Sequence, residues 1–204
     1  MKPILLTAAG NPENQDRGAI ISCRRSLVLV VADGAGGLSV GAEAAVMAVT
    51  FVRQHTEQLS DAASCAAILQ EIDQHVAQDS IAGETTCTLA VVTADLVFGA
   101  SVGDSGFWVI GETEFTDLTR LQTRKPFIGS GSAWPVTFEH KNASGGQLLM
   151  ATDGLLKYAS PEKIMGVCRR NSSDETARQL IELVRYPSGA LPDDVTVIVC
   201  SLGE

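Results

Sequence analysis

Aspartates punctuate the apolar stretches of this chain. Val28-Leu29-Val30-Val31-Ala32 runs into Asp33-Gly34, and Leu148-Leu149-Met150-Ala151-Thr152 runs into Asp153-Gly154. Phe98 to Val102 is followed by Gly103-Asp104, and Asp193-Asp194 precede Val195-Thr196-Val197-Ile198-Val199. A carboxylate at the end of a buried strand costs free energy unless positive charge meets it. Carboxylates delivered by several strand ends build an oxygen-ligand site for a hard divalent cation. The candidate ligands are Asp16, Asp33, Asp104, Asp153 and Asp193, and Gly34 lets its own carbonyl approach an ion closely. No His or Cys accompanies them, so the donor set suits Mn²⁺ or Mg²⁺ and not zinc. Several aspartates in one pocket suggest two ions, spaced ~3.5–4 Å, and the matching chemistry is displacement by water at phosphorus.

The elements that must position these residues follow from periodicity. Met1–Gly10 reads as a first strand, and Ile20–Cys23 with Leu27–Ala32 as a hairpin across Arg24-Arg25-Ser26. The Ala- and Val-rich stretch Val40–Leu59 predicts one buried helix, and Ser60 or Asp61 caps a second. The second helix sets Ile68, Leu69, Ile72 and Val76 on one face. Thr85–Thr93, Leu96–Val102 and Phe107–Ile110 are strands. Gly111–Asn142 is poorly periodic and reads as short strands with a loop bordering the site. Ser172-x-x-Glu175 is a capping-box pattern opening a helix with Ala177, Leu180, Ile181 and Val184 on its apolar side; Pro187 and Gly189 stop it. Strands come in blocks and do not alternate with helices, so the class is α+β with antiparallel sheets.

Length and composition narrow the function classes. A chain of 204 residues with 45% apolar content reads as one domain, residues 1–204, with its own core. A net charge of -9 argues against nucleic acid or an anionic membrane as partner. Bound divalent ions invert that field locally and make an acidic pocket fit for phosphate. Five cysteines without a C-x-x-C, and no apolar run long enough for a leader or a span, point to a cytoplasmic setting.

Taken in order, six pieces resemble one family: Asn14-Gln15-Asp16, Asp33-Gly34-Ala35-Gly36-Gly37, Gly83-Glu84-Thr85-Thr86, Val102-Gly103-Asp104-Ser105, Ala151-Thr152-Asp153-Gly154-Leu155 and Asp193-Asp194-Val195-Thr196. The chain resembles the metal-dependent protein phosphatases of the PPM, or type 2C, family, in its bacterial form, over nearly its whole length. The resemblance implies a central β-sandwich of two antiparallel sheets flanked by α-helices, with two Mn²⁺ or Mg²⁺ ions at one end. It implies hydrolysis of phosphoserine and phosphothreonine in proteins, opposing a Ser/Thr kinase in signal transduction. Carried over, Asp33 would bridge the ions, the Gly34 carbonyl would bind one, and Asp153 and Asp193 would complete the other. Asp16 would act through water. Asp104 with Asp153 would hold a third, weaker ion, and Asp194 stands where the family usually has Asn and is not counted as a ligand.

Departures from the pattern define the alternatives. Asn11 occupies the place of a phosphate-binding Arg and is a candidate contact to substrate phosphate, but an amide lacks the charge and fork of a guanidinium. Arg17, Arg24 or Arg25 are the candidates to replace it, Arg17 foremost. Gln15 stands where many eukaryotic members have a metal-binding Glu, although bacterial members often carry Gln there. Ala35 stands where some members have a proton-donating His, and Gly106 replaces the usual Arg. The family's mobile flap would be trimmed within Phe115–Trp134. These changes leave open a catalytically weak or inactive binding module of the same fold, or a phosphatase of small phosphorylated metabolites. Gly103-Asp104-Ser105-Gly106 also spells a serine-protease tetrad, but His55 and His75 fall on helix-like stretches. Gly34, Gly36 and Gly37 suggest a dinucleotide turn, but Ser39 replaces the third glycine.

Overall fold

The computed structural model describes residues 2–35, 40–142, 146–170 and 172–202. Gly36, Gly37 and Ser39 of the glycine-rich turn, and Gly145, lie outside them. The strands in chain order are β1 (Ile4–Ala8), β2 (Asp16–Ser22), β3 (Leu27–Ala35), β4 (Glu84–Thr85), β5 (Cys87–Val92), β6 (Leu96–Val102), β7 (Gly106–Ile110), β8 (Phe115–Asp117), β9 (Val136–Lys141), β10 (Gln147–Ala151) and β11 (Val195–Ser201). The helices are α1 (Val40–Gln54), α2 (Ala62–Ala77), α3 (Asp153–Leu156), α4 (Pro161–Cys168) and α5 (Ser173–Leu183). One sheet has the order β1-β11-β10-β7-β8, the other β2-β3-β5-β6-β9 with β4 on the end of β3. Every pairing is antiparallel.

Three apolar layers hold these elements together. Val28, Val30 and Ala32 of β3 pack with Ala45, Ala48 and Val52 of α1 and Leu69 and Ile72 of α2. Their strand neighbours Leu29 and Val31 face Leu148, Met150 and Ile198 of the opposite sheet. On the far side Val195, Val197 and Val199 of β11 pack with Leu180 and Ile181 of α5. Each central strand is therefore covered on both faces, which explains why these strands read as unbroken apolar runs and not as alternating ones. A charge has no place inside such a strand, so the carboxylates collect at strand ends. Among the described residues no helix is long and apolar enough to cross a membrane.

The second strand begins at Asp16 and not at Ile20, α3 and α4 add helix after β10, and three further differences have visible causes. The helix expected over 40–59 ends at Gln54, and Thr56–Gln58 is a single 3-10 turn. The His55 N–H reaches back to the Val52 carbonyl (3.1 Å), its ring stacks on Phe51, and the tighter turn returns Leu59 to the core. Asp61 caps α2 through a reciprocal box with Ser64, whereas Ser172 starts α5 without a side-chain capping bond. Glu175 there accepts instead from Gln179 Nε2 at 2.6 Å. The strand expected over 85–93 breaks at Thr86, which turns its hydroxyl toward Asp33.

The poorly periodic region resolves into β8, β9 and a loop between them. That loop is latched by Asp73, a carboxylate of α2 that is only 2% exposed. It accepts from the backbone N–H groups of Gly129 (2.8 Å), Gly131 (3.0 Å) and Ala133 (3.0 Å). Three donors satisfy a buried charge that would otherwise be costly.

Candidate metal centre

Strand register brings the aspartate-bearing ends together. Asp16 and Asp33 are direct cross-strand partners at the end of β2 and β3. Cys87 pairs with Val102, so Gly103-Asp104 leave β6 at that same edge of the sheet. In the other sheet Ala151 pairs with Val197 and with Gly106, so Asp153 follows β10 where Asp193 precedes β11. Asp33, Gly34, Asp104, Asp153 and Asp193 line one cavity of about 570 Å³. Asp16 lies behind it, 2% exposed.

Each Asp-Gly pair needs its glycine for the same reason. A Cβ on Gly34 would run into the carbonyl of Gly41 at the start of α1 and come within 2.9 Å of the Ala42 nitrogen. One on Gly154 would run into the carbonyl of Asp194. Both glycines let backbone pack on backbone beside a carboxylate, which keeps the strand ends close.

The supporting hydrogen bonds are supplied by threonines. The Asp33 N–H donates to Thr86 Oγ1 (3.0 Å), its carbonyl accepts from Thr85 Oγ1 (2.9 Å), and Thr86 Oγ1 shares a 2.7 Å bond with Ser105 Oγ. Ser105 is thus a buried strut, not an exposed nucleophile. Thr152 Oγ1 donates to Asp16 Oδ2 (2.8 Å) and accepts from the Thr196 N–H (2.9 Å), which ties the two sheets together behind the cavity.

The electrostatics call for added positive charge. The Asp33 carboxyl is pushed up to about 9, first by burial and then by the charges of Asp16, Asp153, Asp193 and Asp104. Asp16 is pushed up to about 7 by burial, with Asp194 and Asp153 adding to it against the opposing Thr152 and Thr196 hydrogen bonds. Burial and the neighbouring Asp104 and Asp193 also raise Asp153, while Lys157 pulls it down. Asp16 Oδ1 is buried with no hydrogen-bond partner among the described residues. An all-oxygen set with an orphaned carboxylate oxygen fits hard divalent ions. Among the described residues, however, no three acidic, imidazole or thiol side chains stand close enough to hold an ion as they are.

Other residues at the cavity carry roles that the spacing did not reveal. Asp194, 4% exposed, clamps the loop over residues 10–15. Its Oδ1 accepts from the N–H groups of Gly10 (2.8 Å) and Asn11 (3.0 Å), and its Oδ2 from that of Gln15 (2.8 Å). Asn11 Nδ2 donates to Asp193 Oδ1 at 3.1 Å. Arg17 does not reach the cavity: its Nη1 donates to the carbonyls of Asn14 and Asp16, 2.7 Å each. Arg24 and Arg25 sit in the turn at the far end of the β2–β3 hairpin, roughly 20 Å of strand away. Among the described residues the cations that line the cavity are Arg124 and Lys157.

The model of one family, Stage II sporulation protein E (SpoIIE), matches residues 24–203. The chain belongs to the SpoIIE family. No match was found among curated protein sequences. Solved structures share the fold of this SpoIIE-family chain. A bacterial serine phosphatase superposes with a TM-score of 0.87 at 20% identity, over 100% of this chain and 99% of that one. The catalytic domain of the serine/threonine phosphatase PstP, solved with two manganese ions, gives 0.85 at 21% identity, over 100% and 98%. Stp1 of Staphylococcus aureus gives 0.81 at 20% identity, over 100% and 95%. The architecture is the PPM-type β-sandwich that the six sequence pieces imply.

Proposed function

We propose that this chain is a metal-dependent phosphatase that hydrolyses phosphoserine and phosphothreonine in proteins with two Mn²⁺ or Mg²⁺ ions. The observation that carries this reading is the set Asp33, Asp153 and Asp193, brought from separate strand ends of both sheets to one cavity. Burial first, and then the charges of Asp16, Asp153, Asp193 and Asp104, push the Asp33 carboxyl up to about 9. The same fold in PstP with two manganese ions supports the choice of metal. Asp33, the Gly34 carbonyl, Asp153 and Asp193 would hold the ions, with Asp16 behind them. When bound, the ions supply Lewis-acid polarisation of the phosphoryl group and a lowered pKa for water.

The chain's own residues orient these groups. Thr152 fixes Asp16, and Thr85 and Thr86 fix the backbone of Asp33. Asn11 holds one oxygen of Asp193, and Asp194 holds Asn11. Lys157 opposes the negative charge of Asp153. Among the described residues no imidazole lines the cavity, so none stands ready to protonate a departing serine or threonine alkoxide. A phosphopeptide and a chromogenic phosphate ester, each assayed with Mn²⁺, test the reading. Turnover no greater than that of an Asp33→Asn control overturns it, and a strong preference for small phosphorylated metabolites moves the substrate class.

A second reading draws on the carboxylates that do not yet close on a point, and on the amide at Asn11. There the chain binds a phosphorylated protein without turning it over. Partner binding retained by Asp153→Ala, with an inactive wild type, favours that alternative.

A further inference from the structure

We propose that Arg124, oriented by Asp104, grips the phosphoryl group of the substrate in place of the guanidinium that the Asn11 position lacks. The proposal rests on the phosphatase reading. A phosphate monoester brings negative charge to a cavity lined by Glu13, Asp33, Asp104, Asp153, Asp193 and Asp194. Ions would answer the carboxylates, but the outward phosphoryl oxygens still need donors. Asn11 has committed its amide to Asp193, Arg17 is turned onto its own backbone, and Arg24 and Arg25 are at the wrong end of the hairpin.

Among the described residues Arg124 is the one guanidinium that lines the cavity. Its Nε donates to Asp104 Oδ2 at 2.7 Å, and its side chain is 68% exposed against 29% for Asp104. A guanidinium anchored through Nε keeps its Nη1–Nη2 edge for a second anion, in the planar fork that matches phosphate. The loop behind it is anchored: Phe127 and Ile128 are buried, and Asp73 latches Gly129, Gly131 and Ala133. Arg124 thus lines the cavity just ahead of an anchored segment. The same contact bears on Asp104, from which the family resemblance implied a share in a third ion. A guanidinium at 2.7 Å already supplies positive charge there, so Asp104 acts as the positioning residue for Arg124.

The test uses the full chain loaded with Mn²⁺. Two readouts are taken: kcat and KM on a phosphopeptide, and the dissociation constant of inorganic phosphate by calorimetry. Arg124→Ala raises both KM and the phosphate dissociation constant about tenfold or more, with a smaller change in kcat. Arg124→Lys restores part of the loss, because charge returns without the fork. Arg120→Ala, an exposed neighbour that does not line the cavity, controls for net charge and leaves both values unchanged. Asp104→Asn weakens phosphate binding while the Mn²⁺ stoichiometry stays at two. Arg124→Ala indistinguishable from Arg120→Ala overturns the proposal, as does Asp104→Asn losing an ion with phosphate affinity intact. A wild type that turns over no phosphopeptide defeats the phosphatase reading alone, and the phosphate titration still decides the role of Arg124.

Discussion

Replacing Asp33 by Asn exchanges a half-buried, crowded carboxylate for a neutral group of the same shape. In the metal-free protein its carboxyl is pushed from the ordinary 3.8 up to about 9, with burial the largest cause and the charges of Asp16, Asp153, Asp193 and Asp104 next. A group raised on folding contributes stability that is complete below its unfolded pKa and is lost as pH rises through its folded one. Between pH 5 and pH 8 the folded chain keeps a proton on Asp33 that the unfolded chain has released. At about 1.36 kcal/mol per proton and pH unit, those three pH units correspond to about 4 kcal/mol. Asp33 is only partly shielded from water, and screening brings the expected figure to about 2 kcal/mol. The expected outcome is that metal-free Asp33→Asn gains stability over wild type by about 2 kcal/mol more at pH 8 than at pH 5. Urea unfolding in chelator, at both pH values, measures it. Adding Mn²⁺ should then stabilise the wild type and leave Asp33→Asn unmoved, because ligand binding to the folded state alone adds to its stability. A gain of equal size at both pH values, or a wild type more stable at pH 8, would falsify the account of a carboxylate cluster awaiting positive charge.

Three further outcomes follow from contacts at and behind the site. Asp194→Ala leaves the N–H groups of Gly10, Asn11 and Gln15 without their acceptor. It should cost about 2–4 kcal/mol in urea unfolding and speed hydrogen exchange at those three amides. Asp73→Ala should likewise cost about 2–4 kcal/mol and deprotect Gly129, Gly131 and Ala133, with Mn²⁺ affinity retained. Gly154→Ala drives a methyl group into the Asp194 carbonyl. A loss of about 2 kcal/mol or more by thermal unfolding is expected, with weakened Mn²⁺ binding, because the backbone must shift beside both Asp153 and Asp194.

Much of the fold was legible because it rests on local periodicity. The 3.6-residue spacing of Ile68, Leu69, Ile72 and Val76 predicts the buried face of α2, and all four are buried. The unbroken apolar runs ending in Asp33 and Asp153 predict strands with charge expelled to their ends, and the sandwich puts those ends on one cavity. Boundaries were less legible. Leu59 reads as the end of a helix but returns to the core through a 3-10 turn, and Ser172 and Glu175 spell a capping box that does not form. In each case a side chain found a competing partner, Phe51 for His55 and Gln179 for Glu175.

By itself the sequence determined which residue types could meet a hard divalent ion, and that they must lie at strand ends, because a strand covered on both faces excludes charge. Only the tertiary structure decided what each polar group does there. Asp194 holds the loop at Gly10 across 184 positions of sequence. Asn11 braces Asp193, Arg17 folds back on its own strand, and Arg124 reaches Asp104 from a stretch with no periodicity at all. Hydrogen bonds and ion pairs act over a few ångströms, so partners far apart in sequence are chosen by the packing of sheets and loops and leave no trace in local spacing.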